Sequence, residues 1–187
     1  MYSLLIDTHG KEMNLILYKD HVVEKHISEE HINQSKYIIP KITEVLSNEG
    51  IDIKKINEVI VVNGPGSFTG IRIGVTIAKT IAYCLNIPIK SISSIMLKSL
   101  GNKKDNNYSI VMPDNKGAFV GEFDSNNKLL KDYFYISNNE LETYKQTNYI
   151  LEEKEIDWSS VFNHDCLNDE SCYSIKPLYI KKIEVEK

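Results

Sequence analysis

The chain has 187 residues, 42% of them hydrophobic, and carries 22 basic against 26 acidic side chains, for a net charge of -4. That length and apolar content suffice to pack one large domain or two smaller lobes, while the acidic balance gives no overall positive field to draw in a phosphate backbone. Cys84, Cys166 and Cys172 are odd in number and lack a C-x-x-C pair, which argues against a disulfide framework or a zinc site and for idle thiols in a reducing compartment.

Residues 1–7 enter an apolar run with no basic stretch before it, so no signal peptide is read. The densest apolar stretch, residues 70–86, is interrupted by Arg72, Thr76, Lys79 and Thr80 and falls short of the ~20 apolar residues of a membrane span. A cytoplasmic protein without membrane contact is expected. Three short runs at 3–7, 13–18 and 21–26, separated by His9-Gly10-Lys11 and Lys19-Asp20, have the spacing of a three-strand meander. Ser28 as N-cap, Glu29 and Glu30 in the first turn and Gly50 as the stop then frame a helix over 29–49. Its apolar positions, Ile32, Ile38, Ile39, Ile42, Val45 and Leu46, fall on an arc of about 140°, and a kink is expected at Pro40.

A buried-type strand over 58–62 runs into Asn63-Gly64-Pro65-Gly66-Ser67-Phe68-Thr69-Gly70 and a second helix over 70–86, an α/β crossover pattern. On that helix Ile71, Ile73, Val75, Ile77, Ala78, Ile81, Ala82, Cys84 and Leu85, with Gly70 and Gly74, cover an arc of about 200°, about twice what a surface helix needs. One side is expected on the sheet and a second side on something else. Gly70, Gly74, Ala78 and Ala82 recur every fourth residue as a flat track that would let another helix come close. The residues alone leave open whether that neighbour belongs to this chain or to a partner. A short strand over 87–90 and a helix over 93–100 follow, then the linker-like segment 101–107. A lobe boundary is placed at residue 104, giving lobes 1–104 and 105–187. Strands are expected at 108–112, 117–123 and 133–136, and the tail beyond gives no clear pattern.

The Gly-rich turn puts backbone amides and the hydroxyls of Ser67 and Thr69 at a helix N-terminus, where an anion could sit. It lacks the Gly-Lys-Ser/Thr ending of a phosphate loop and the glycine spacing of a dinucleotide fingerprint, and Ser67 or Thr69 as N-cap explains the hydroxyls without a ligand. Gly64, Pro65, Gly66, Ser67 and Thr69 are therefore read as a structural loop. Asp7-Thr8 ends the first strand where actin-like kinases hold phosphate and metal, but an aspartate that merely ends a strand and bonds its own turn backbone is the preferred reading. His21, His26 and His31 stand five apart, which places neighbours on different faces of a helix or a strand. They make no one-faced metal pair. His9 and His164 stand alone. No metal, no catalytic residue and no cofactor is assigned.

The run from Asn63 to Gly74, continuing through Ala78-Lys79 to Asn86-Ile87-Pro88 and Ser93-Ser94, closely resembles the signature of the TsaB family. Leu5-Ile6-Asp7-Thr8 is similar to that family's first strand, and Gln34-Ser35-Lys36-Tyr37-Ile38-Ile39-Pro40 looks like its first-helix motif, proline included. Pro113-Asp114-Asn115-Lys116-Gly117-Ala118 and Pro177-Leu178-Tyr179-Ile180-Lys181 are looser matches to its aspartate loop and C-terminal motif. The resemblance implies an α/β fold of the actin-like ATPase, ribonuclease H-like (ASKHA) class, with two lobes and a reduced second one. It also implies a non-catalytic subunit that supports TsaD, the catalytic metal-binding paralogue, in placing threonylcarbamoyl on adenosine 37 of tRNA. TsaE, a small ATPase, joins that complex, TsaC supplies threonylcarbamoyl-adenylate, and tRNA is met through the complex. In the resemblance's terms the first two helices of each partner make a bundle, which also serves a homodimer, so Ile39, Leu46, Gly70, Gly74, Ala78 and Ala82 are the expected interface and Asp7 and Thr8 a residual nucleotide site. Gln34, where the family has histidine, and His9, after Asp-Thr, depart from the pattern. A small-molecule phosphotransferase of the same fold is the alternative, and a metallopeptidase a third class that the histidine spacing disfavours.

Overall fold

Strands β1 (Tyr2–Asp7), β2 (Glu12–Lys19) and β3 (Val22–Glu30) form an antiparallel meander. In this computed structural model, which describes residues 1–30, 33–100, 105–151, 155–162 and 165–180, β2 is buried at every position from Met13 to Tyr18. A run that is apolar on both faces needs cover on both. The turn into β3 uses Asp20 and His21 at φ of 49° and 68°, the positive-φ pair of a two-residue hairpin. The third strand extends past the expected 21–26 because Ser28, Glu29 and Glu30 still pair with Asn14, Met13 and Glu12. Ser28 is thus a strand residue whose hydroxyl donates to Glu12 at 3.0 Å, and the first helix, α1, runs over Gln34–Asn48 with Asn33 as its N-cap. Pro40 lies inside that continuous helix. Ile32 and His31 lie outside the described residues.

Strand β4 (Ile56–Val62) pairs parallel with β1, and β5 (Ile89–Ile92) parallel with β4. The parallel step requires a crossover, supplied by α2 (Phe68–Leu85), which begins at the N-cap Ser67 and ends at Asn86 in the left-handed region. A short strand, β9 (Asn168–Glu170), adds antiparallel to β5, so the sheet order is β3-β2-β1-β4-β5-β9. On one face α1 and α2 pack over Leu4, Ile6, Leu15, Leu17, Val59 and Val61. On the other, the Tyr18 hydroxyl donates to the Trp158 carbonyl at 2.9 Å and its ring meets Phe162 edge-on at 5.0 Å. By length and composition α2 is apolar enough to cross a membrane; here one side of it lies on the sheet.

The chain divides into two units, Met1–Ser94 with Trp158–Pro177, and Ile95–Asp157 with the residues after Pro177. This differs from the division expected at 104, a residue outside those described, as is most of the linker-like segment. The tail returns to the first unit because β9 completes its sheet edge and Ile175 enters its core. The second unit holds α3 (Ser94–Ser99) beyond its first residue, the antiparallel strands β6 (Tyr108–Asp114), β7 (Gly117–Phe123) and β8 (Phe134–Ser137), and α4 (Asn138–Thr147). Ala118, Val120 and Ile136 of this small sheet pack under Leu141 and Tyr144 of α4, and Ile95, Tyr108, Ile110 and Phe123 form a separate cluster. The Tyr144 hydroxyl donates to Glu122 at 2.7 Å and sits 2.8 Å from the Ser109 hydroxyl. Burial and the Glu122 carboxylate push that phenol well above its ordinary value.

Candidate functional site

The Gly-rich turn closes against the end of β1. Gly66 has φ of 152°, and a Cβ there would stand 2.4 Å from the His9 carbonyl oxygen. That carbonyl accepts the Ser67 amide at 2.7 Å. The Ser67 hydroxyl in turn accepts the Gly70 amide at 3.2 Å, an N-cap bond that satisfies one of the open donors of α2. On the facing strand, one oxygen of Asp7 accepts the His9 amide at 3.0 Å and lies 2.6 Å from His9 Nδ1. The other Asp7 oxygen and Oδ1 of Asn63 are buried without a partner in the structure. The Thr8 hydroxyl donates to the Gly70 carbonyl at 2.7 Å. Asp7 and Thr8 are fully buried, and each has a side-chain bond that holds the turn together. Thr69 is exposed on the first turn of α2.

The small-residue track does not face outward. Gly70, Gly74, Ala78 and Ala82 are all buried within the chain. A Cβ at Gly70 would come 2.1 Å from the Thr8 carbonyl oxygen, and one at Gly74 would come 2.4 Å from Thr8 Oγ1. Gly70 and Gly74 seat α2 against Thr8 at the end of β1, and all four expected interface positions are covered by the chain's own residues. Close approach of helix and strand needs small side chains whether the neighbour is another chain or this one. Leu46 is likewise a core residue, at 4% exposure. Of the six expected interface residues only Ile39, at 49%, is open to solvent.

The second side of the over-wide apolar arc is nonetheless real. Ser35 and Ile38 of α1 and Phe68, Thr69, Arg72, Ile73, Thr76 and Ile77 of α2 line a groove of about 400 Å³. Phe68 is 52% exposed, and the Arg72 guanidinium lies 5.1 Å from the centre of its ring. Sequence reasoning missed Phe68, Arg72 and Thr76 as a strip, although their spacing of four puts them on one face of a helix. Gln34, at the start of α1, reaches the Gly10 carbonyl with Nε2 at 3.4 Å.

The histidines stand apart. His21 stacks on Phe162 with ring centres 4.2 Å apart. His26 Nε2 is 3.0 Å from Asn14 Oδ1, and its ring lies 5.4 Å from that of Trp158. Burial holds the His26 imidazole below its ordinary value, with Glu12 and Asp7 pulling the other way. His31 and His164 lie outside the described residues. Among the described residues no three His, Cys, Asp or Glu side chains gather as an ion would require. Cys166 is buried, its thiol donating to the Val161 carbonyl and pushed up to about 11 by burial. At the end of β6, Asp114 accepts the Tyr135 hydroxyl at 3.0 Å. In the C-terminal motif Tyr179 is exposed, and Lys181 lies outside the described residues.

A family model described as "TsaD: tRNA N6-adenosine threonylcarbamoyltransferase" matches residues 22–112. A "tRNA threonylcarbamoyladenosine biosynthesis protein TsaB" of Bacillus subtilis (strain 168) is 33% identical over 134 residues, 70% of this chain and 58% of that protein. Its counterpart from Buchnera aphidicola subsp. Schizaphis graminum is 35% identical, covering 68% of this chain and 62% of that one. The chain is related by sequence to the TsaB family. It spans about three fifths of the length of these two relatives. In structure it matches a protein described as uncharacterized, with similarity to peptidase YeaZ, from Pseudomonas aeruginosa, at a TM-score of 0.75 and 12% identity, over 96% of this chain and 99% of that one. The fold is of the actin-like ATPase, ribonuclease H-like class, in agreement with the β3-β2-β1-β4-β5 order and its antiparallel meander.

Proposed function

We propose that this chain is a non-catalytic subunit of the machinery that makes N6-threonylcarbamoyladenosine at adenosine 37 of tRNA, and that it supports a TsaD-type catalytic subunit through the α1–α2 face. The observation that carries this reading is the strip on that face: exposed Ile39 and Phe68 beside a groove floored by Ile38, Ile73 and Ile77. An exposed apolar patch rimmed by polar residues, here Ser35, Thr69 and Thr76, marks a protein contact. A two-fold bundle would use the same patch for a homodimer when TsaD is absent. TsaE joins as the ATPase, tRNA is met through the assembled complex, and the work is done in the cytoplasm. The phosphotransferase alternative finds less support, since the Thr8 hydroxyl is committed to Gly70 and one of the two Asp7 oxygens to His9.

The test is capture of a TsaD homologue from the same cell by the tagged chain, with Ile39→Asp and Phe68→Asp as comparisons. Both side chains are about half exposed, so the variants keep the circular dichroism of the parent, and both are expected to lose capture at least about tenfold and to fail in a complementation assay for the tRNA modification. Folded variants that capture TsaD unchanged would move the contact elsewhere. Robust multiple-turnover hydrolysis of magnesium-ATP by the chain alone would overturn the non-catalytic reading.

A further inference from the structure

Helices α1 and α2 together are basic in an acidic protein. The net charge of the chain is -4, yet α2 carries Arg72 and Lys79 with no acidic residue, and α1 carries Lys36, Lys41 and Glu44. Lys41 is paired with Glu44 at 2.9 Å and with Glu29 of β3 at 2.6 Å, and Lys79 donates to the Tyr173 carbonyl at 3.4 Å. Arg72 differs from these. It sits midway along the part of α2 that lines the groove, with Phe68 and Thr69 before it and Ile73, Thr76 and Ile77 after it, and among the described residues no carboxylate shares that lining. Its guanidinium lies over the Phe68 ring, 5.1 Å from the centroid. Docking any apolar surface on the groove removes water from this cation, and a guanidinium taken from water needs a carboxylate in return.

A second copy of the chain supplies the opposite. A two-fold axis through a shared patch brings central residues toward their own copies, so Arg72 would approach Arg72, on helices whose cations outnumber their carboxylates. We propose that Arg72 is the specificity residue of this face: it selects a partner protein that presents a carboxylate among apolar side chains and weakens pairing of the chain with itself. The proposal rests on the reading that the α1–α2 face is where the TsaD-type subunit docks. The apolar floor of Ile38, Ile73 and Ile77 favours a protein over a nucleic acid as the occupant, because a phosphate backbone offers nothing to cover it.

Arg72→Gln keeps a polar, uncharged side chain at an exposed position, so folding is preserved. Sedimentation equilibrium of the chain alone and titration with the purified TsaD homologue then read two associations independently. The Gln variant is expected to self-associate roughly tenfold more tightly and to bind the partner roughly tenfold more weakly. Raising the salt should strengthen self-association of the wild type, by screening repulsion, and weaken its binding to the partner. Mixing wild type with Arg72→Glu should give a heterodimer tighter than either self-pair, a readout that does not need the partner. If Arg72→Gln moves both associations the same way, or neither, Arg72 does not set specificity. Loss of tRNA retention by the chain alone, with both protein associations unchanged, would also overturn the proposal. Failure of the wild type to capture any TsaD homologue is a different result: it removes the proposed function, while opposite salt slopes and charge-swap pairing report on Arg72 separately.

Discussion

Single atoms decide most of what the Gly-rich turn tolerates. At Gly66 a side chain would meet the His9 carbonyl at 2.4 Å from Cβ, in a backbone conformation that L-residues rarely adopt. Gly66→Val should therefore lower stability by about 1–3 kcal/mol, read as a lower melting temperature; an unchanged melt with lost binding of a phosphate compound would make the loop a ligand site. The two glycines around Pro65 made this backbone demand legible in the sequence, but the atom that enforces it lies 57 residues earlier in the chain and could not be read from the turn alone. The same holds for His26, which with its partners Asn14 and Trp158 brings together three separate parts of the chain. Burial lowers the His26 value, so the folded protein prefers the neutral ring and the unfolded chain takes up the proton first. Stability is then complete above the ordinary histidine value of about 6.5 and declines as pH falls through it. His26→Gln keeps a donor for Asn14 and removes the titration, so its melting temperature should fall less than that of the wild type between about pH 7.5 and about pH 5.5. Parallel declines would show that His26 contributes nothing to the acid limb.

Elements were legible where one periodicity ruled and lost where two signals competed. The expected strand over 117–123 coincides with β7 (Gly117–Phe123), and α2 with its Ser67 cap lies within two residues of the reading. Ser28-Glu29-Glu30 carried a good N-terminal helix pattern, and the pairing of β3 with Asn14, Met13 and Glu12 overrode it, because ladder bonds with an already buried strand outweigh a cap preference. The small-residue track shows the limit most clearly. Spacing by four reported correctly that something comes close to α2; it held no information on which chain that something belongs to. The structure answers with Thr8, and the answer can be tested by a double-mutant cycle. Gly74→Ala puts a methyl group 2.4 Å from Thr8 Oγ1 and is expected to cost about 1–3 kcal/mol by overpacking. Thr8→Ala removes that oxygen together with its bond to Gly70, so the pair should be less destabilised than the sum of the singles, by roughly 0.5–3 kcal/mol. Strict additivity in chemical denaturation would mean that α2 relaxes away from β1 without Thr8.

At the scale of the molecule, the first unit is not a contiguous stretch of chain. Its sheet runs from β3 to β9, and β9 belongs to the returning segment Trp158–Pro177. That segment touches both faces and the edge: Val161 is fully buried and Trp158 and Phe162 meet Tyr18, His21 and His26 on one side, Ser91 donates to Glu170 at 2.8 Å at the edge, and Ile175 enters the α1–α2 core on the other. Sequence reading placed the boundary at 104 because a polar Gly-Asn-Lys-Lys segment is the usual mark of a linker, and a return visit by a tail of mixed composition leaves no periodicity to detect. The two divisions predict different behaviour for the fragment 1–104. Were it a domain, it would melt cooperatively by itself. Without the returning segment it loses the burial of Val161 and Ile175, each worth about 1.5–3 kcal/mol, together with the Tyr18–Trp158 bond and the ladder between β5 and β9. Losses of that size consume much of the roughly 5–15 kcal/mol by which a domain of this kind is stable. The fragment is expected to show no cooperative thermal transition, and co-expression with a segment spanning 155–180 should restore one. The restoration should fail when the added segment carries Val161→Asp, since a carboxylate would then enter a site that is closed to water. A sharp melt of 1–104 alone, unchanged by the segment, would show that the first unit stands without its tail.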